Sequence, residues 1–154
     1  IHDGDIMTGA VTIPMHSIAA AAAQAMVAAA VGHGAAHGCA VVAVVVDPAG
    51  ATVALLRGDG APLESSRIAC DKAYTAAAFR APSNVIEGAL AANPALRDSF
   101  MAREGLALFG GGLPIVIDGA VVGAIGVSGG SEEFDQACAT AGLAAVGAGP
   151  TSGV

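Results

Sequence analysis

A chain of 154 residues is long enough to build one domain around a real core, but not two. Only 12% of the residues are charged, against a norm of about 25%, and 55% are hydrophobic, so polar material is too scarce to cover a monomer and shared apolar surface is expected. Thirteen acidic groups against six basic ones give a net charge of −7, which argues against nucleic acid as a partner, because that affinity is drawn from clustered Lys and Arg.

The chain opens on Ile1 and the acidic IHDGD rather than on Met and a basic stretch, so no secretory signal is visible, and residues 1–16 are read as leader-like. No charge falls between Ile6 and Val46, yet Pro14, His16, Gln24 and Gly32-His33-Gly34 interrupt the run before it reaches the ~20 apolar residues of a spanning helix; no membrane partner is expected. Ser17 is placed as the cap of an alanine-rich helix to about Val31, with Ile18, Ala21, Ala22, Ala25, Met26 and Ala29 on its buried stripe. Ala40 to Asp47 is valine-rich and reads as a strand, and Pro48-Ala49-Gly50 turns it into a second, Ala51 to Arg57. Pro62 and Leu63 start a second helix reaching about Phe79. Ser83 or Asn84 caps a third, and Asn93-Pro94 opens a fourth that ends at Gly105. The segment Leu106 to Asp135 holds about three strands, with Asp118-Gly119 as a two-residue hairpin turn, before a last helix from about Ser131 to Val146 and a frayed tail over residues 147–154. The order α-β-β-α-α-α-β-β-β-α, with hairpin-joined strands, predicts an α+β fold: one antiparallel sheet flanked by helices.

Cys39, Cys70 and Cys138 stand singly without CxxC spacing and read as small buried hydrophobes of a reducing, cytoplasmic compartment, although a removed secretory leader would leave no trace. Three glycine clusters, at 110–112, at 119 and at 129–130 after Ser128, suggest a backbone-lined pocket, or else turns. Lys72 is the single lysine, on a stripe with Ile68, Thr75 and Phe79. Its ammonium either meets a ligand carboxylate, with Thr75 adding a hydroxyl contact, or bridges to Asp47, Asp71 or Asp135. His33 and His37, four apart, would share a helix face as metal or haem ligands, but Gly32, Gly34 and Gly38 mark a loop and no third ligand stands at matching spacing, so the pair is read as solvent-exposed. Arg57-Gly58-Asp59 is read as a turn after a strand, not as an adhesion motif. GxGxxG and P-loop patterns are absent, and the Ser128-Gly129-Gly130 segment is read as a turn rather than a nucleophile elbow.

The blocks VVVDPAGATVALLRGDGA, DKAYTA and FGGGLPIVIDGAVVGAIGVSGGSEEFDQACA resemble the GlcG/HbpS-like family, which includes secreted haem-binding HbpS proteins and the carboxy-terminal domain of PduO-type proteins. The resemblance runs from about Ser17 to Val146, so that residues 1–154 hold one such domain. It implies a profilin-like fold, dimer-based homo-oligomers that reach hexamers or octamers, and haem or a related tetrapyrrole as ligand. It also implies a histidine near the first helix as haem axial ligand, for which His16 is the candidate, and a loop shaped by Arg57, Asp59 and Gly60. The leading expectation is an oligomeric small-molecule-binding protein with Lys72, Thr75, Gly111, Gly112, Pro114, Ser128, Gly129 and Gly130 at the ligand. The alternative is a catabolic-pathway enzyme, in which Lys72 and the glycine-rich loops hold a small organic acid while Asp59 or Asp135 moves a proton.

Overall fold

A computed structural model describes residues 9–149. Its elements run α1 (Ala20–Ala36), β1 (Val42–Val46), β2 (Thr52–Arg57), α2 (Ser65–Phe79), α3 (Ser83–Leu90), α4 (Pro94–Met101), β3 (Gly112–Ile117), β4 (Ala120–Ser128) and α5 (Glu132–Ala144). The strands form one antiparallel sheet in the order β2-β1-β4-β3. All five residues of β1 are buried, as a valine run between two covered faces requires. On one face Ala23, Met26, Val27 and Ala30 of α1 and Cys138, Ala139 and Leu143 of α5 pack on Ala43, Val45, Ile115 and Ile125. On the other, Ala69, Ala73, Ala76 and Ala77 of α2 pack on Val42, Val44, Val46 and Ala124. The result is the expected antiparallel sheet flanked by helices, in three layers.

The glycine-rich segment forms two strands rather than three. Ile115 pairs with Gly123 but Val116 pairs with Val121, which leaves Val122 as an extra residue in β4. A bulge of this kind absorbs an interruption without ending the strand. Asp118 and Gly119 both have positive φ, 49° and 79°, as a tight two-residue hairpin between right-twisted strands demands.

α1 departs from expectation at both ends and on its face. Ala19, not Ser17, precedes its first turn, and the Ser17 hydroxyl reaches only the Ile18 carbonyl, at 3.4 Å. The buried residues are Ala23, Met26, Val27, Ala30 and Gly34, so Met26 alone of the expected stripe is fully enclosed. A run of alanines has no hydrophobic contrast around the helix; the two wide side chains, Met26 and Val27, decide which side turns inward. The helix continues through Gly32 and Gly34 because a Cβ on Gly34 would stand 2.7 Å from the Cys39 carbonyl and 2.9 Å from Val41. The glycine there permits packing and does not end the helix. His33 is therefore helical and His37 is the C-cap.

Smaller shifts have local causes. Residues 62–64 form a turn whose Pro62 and Glu64 carbonyls accept from Ser65 and Ile68, so α2 begins three residues late. α4 is capped by the Asn93 side chain, which accepts from the Leu96 N–H at 3.1 Å, and ends at Met101 rather than Gly105. Within the tail expected to fray, Ala148 is buried and its N–H donates to the Leu143 carbonyl at 3.0 Å; residues 150–154, like the first eight of the leader-like segment, lie outside the described residues. No helix among the described residues is long and apolar enough to cross a membrane.

Candidate functional site

The residues singled out in the sequence separate to opposite ends of the β3–β4 hairpin. At the open end, where β3 begins and β4 finishes, α2 presents Lys72, whose Nζ donates to Asp135 Oδ2 at 2.8 Å and to the Val127 carbonyl at 2.9 Å. Both side chains are enclosed, 1% and 3% exposed. The Phe109 ring lies 5.0 Å from the same Nζ and presents its negative face to the ammonium. Asp135 Oδ1 accepts the Gly130 N–H at 2.8 Å. Burial pushes the Asp135 carboxyl upward, opposed by Lys72 and by the N–H groups of Gly130 and Gly129. Asp135, in the first turn of α5, is thus the bridge partner among the three that the sequence left open; no ion pair joins Lys72 to Asp47 or Asp71 among the described residues.

The glycines here serve close approach between protein elements. A Cβ on Gly111, where φ is 124°, would lie 2.6 Å from the Val127 carbonyl and 2.8 Å from Lys72 Nζ. Gly112 abuts the Lys72 carbonyl, and its N–H donates to Ser83 Oγ at 3.0 Å, while that hydroxyl donates to the Phe109 carbonyl at 2.7 Å. Gly129 lies against the Ala40 carbonyl. Thr75 has its hydroxyl committed on both sides: it donates to the Asp71 carbonyl at 2.7 Å and accepts the Ala107 N–H at 2.9 Å. Pro114 is buried in β3 and Ser128 at the end of β4, whereas Asp59 is exposed in the loop between β2 and α2, outside the Lys72 cluster. Cys138 is fully buried, and desolvation, with Asp135 and Cys39 nearby, pushes its thiol to about 11, so it stays a thiol at neutral pH.

At the closed end the hairpin turn meets the approach to α1. The carbonyl of Val122, the bulged residue, accepts the Ile18 N–H at 2.9 Å and fastens the chain just ahead of α1 to the sheet. Between them lies a cleft of about 440 Å³, walled by Ile18, Ala22, Ile117, Val122 and Val146, with His16 and Asp118 among its lining residues. The imidazole is exposed. A wider cleft of about 570 Å³ between Asn84, Gly110, Glu132 and Gln136 carries amides and carboxylates and no imidazole. Of the sequence-predicted site residues only His16 reaches the apolar cleft. Its other walls were missed, because they are ordinary apolar positions from three separate parts of the chain; the one local signal was the hairpin turn at Asp118.

The family described as haem degrading protein HbpS-like matches residues 18–144. The chain belongs to the HbpS-like family. An uncharacterised 15.0 kDa protein of Citrobacter freundii, encoded between dhaT and dhaS, is 38% identical over 100 residues, covering 64% of this chain and 70% of that one. Among solved structures, a variant of HbpS from Streptomyces reticuli superposes with a TM-score of 0.81 at 35% identity, over 92% of this chain and 94% of the other. A PduOC–haem complex superposes with a TM-score of 0.79 at 28% identity, over 88% and 99%.

Proposed function

We propose that this HbpS-like chain binds haem or a related tetrapyrrole, as an oligomer, in the cleft between the start of α1 and the β3–β4 hairpin. The observation that carries the reading is an accessible imidazole, His16, at an apolar cleft of about 440 Å³. The similarity to HbpS and to the PduOC–haem complex supports it. The donor set suits the group: a neutral imidazole is a good iron ligand, and Ile18, Ala22, Ile117, Val122 and Val146 offer apolar contact to a flat macrocycle. In this reading His16 holds the iron, the apolar walls keep water from the bound face, and haem when bound supplies one-electron and oxygen chemistry.

Shared surface fits the same picture. Val11, Ile13 and Met15, just ahead of His16, are 82%, 78% and 73% exposed, and Leu55 and Leu56 stand exposed on the edge strand β2. The organic-acid reading would need the Lys72 ammonium, which already answers Asp135 and the Val127 carbonyl. Titrating the protein with haemin while following the Soret band tests the proposal. A saturable, shifted band is expected, and metal-free protoporphyrin should bind more weakly because it has no iron for His16 to hold. A spectrum equal to that of free haemin at every ratio would overturn it.

A further inference from the structure

The two histidines that the sequence assigned to a loop stand at the C-terminal end of α1, His33 in its last turn and His37 as its C-cap. Their ring centroids are 4.4 Å apart and tilted by 34°, and both rings lie 6.0 Å from the ring of Phe134 on α5. His33 is half-buried and His37 exposed, so the pair is backed by protein on one side and open to water on the other. His37 Nδ1 lies 2.9 Å from the His33 carbonyl. A carbonyl only accepts, so Nδ1 carries the proton and the lone pair of the neutral ring sits on Nε2. That is how metal-ligating histidines are usually oriented: one ring nitrogen donates to a carbonyl, which fixes the tautomer and leaves the other free to bind.

We propose that His33 and His37 chelate a borderline divalent transition-metal cation, such as nickel, copper or zinc, through two imidazole nitrogens, with water completing the coordination shell. Metal–imidazole bonds are about 2.0–2.1 Å long, so two donors on one ion must lie within about 4 Å of each other; the two rings are neighbours, with centroids 4.4 Å apart, and side-chain rotation of the exposed His37 would bring its free nitrogen towards that of His33. The helix C-terminus carries partial negative charge that favours a cation. Neither α1 nor α5 contains a Lys or Arg that would repel one. Two ligands make a weaker centre than a full cage, and among the described residues no group of three or more His, Cys, Asp or Glu gathers around an ion. Nitrogens and oxygens of this type select borderline metals over calcium or magnesium. The site is separate from the haem cleft: imidazoles side by side on one helix bind neighbouring positions of an ion, and in haem those positions are filled by the macrocycle.

Isothermal titration with nickel ion alone, on the full chain at neutral pH, tests this. The wild type should bind one nickel per chain at this site. His33→Ala and His37→Ala should each weaken that binding by about tenfold or more, in line with loss of one of two ligands, and the double variant should remove it. His16→Ala should leave it unchanged, and circular dichroism confirms that each variant is folded. Nickel affinity that survives in the folded double variant, is lost in His16→Ala, or is absent from the wild type overturns the proposal.

Discussion

Lys72 was the least settled residue in the sequence, since a lone lysine on an apolar stripe needs either a ligand or an internal partner. In the structure its ammonium and Asp135 are both withdrawn from water and bonded to each other. Removing one member of such a pair leaves an uncompensated buried charge, at a cost of about 3–5 kcal/mol, whereas replacing both with apolar groups can be neutral. Lys72→Met is therefore expected to lower the melting temperature by on the order of 10 °C for a chain of this size, and Lys72→Met/Asp135→Leu to recover most of the loss. Haem affinity of the folded fraction should not change, because the bridge lies at the other end of the hairpin from His16. Thermal melts and haemin titrations of the two variants check this; a Lys72→Met protein that melts like the wild type but binds haem poorly would return Lys72 to the ligand.

At the level of elements, α2 lies close against the sheet because its inner face is alanine and the strand beneath it carries Gly126. A Cβ there would collide with the Ala69 carbonyl and stand 2.5 Å from the Ala73 nitrogen. Gly126→Ala should cost about 1–3 kcal/mol, the usual penalty for overpacking. Gly88, inside α3 with nothing within 4 Å of its would-be Cβ, is the control: Gly88→Ala should be neutral or stabilising, by up to about 1 kcal/mol. Denaturant unfolding measures both, and equal effects would contradict this packing account. The elements legible in the sequence were those with local signatures, such as the Asp118-Gly119 turn, the Asn93 cap and the valine run of β1. The start of the last helix was legible too, at about Ser131, which caps α5 by accepting the Phe134 N–H at 3.1 Å. What could not be read depended on distant partners. Gly34 looked like a helix breaker because Cys39 and Val41, which require it, are placed only by the fold; Lys72 and Asp135 are 63 residues apart. The cleft was invisible for the same reason, since its walls come from the start of α1 and the segment before it, from the β3–β4 hairpin and from Val146 just past α5.

For the whole molecule, the charge deficit and the exposed apolar groups belong together. Leu63 is 78% exposed, comparable to Val11 and Ile13, which a chain acting alone would leave in contact with water. Light scattering is expected to give a mass that is a multiple of 14.7 kDa, and a folded monomer at micromolar concentration would contradict the shared-surface argument. The fold and the charge set this frame, while the ligand rests on one imidazole beside one cleft. The most direct measurement is therefore the Soret spectrum and haemin affinity of His16→Ala beside the wild type, both checked for fold by circular dichroism. Loss of the axial ligand should shift the band of bound haem and weaken binding by about tenfold or more, a difference of at least about 1.4 kcal/mol. An unchanged band and an unchanged affinity in the variant would contradict the assignment of His16 and of the cleft it borders.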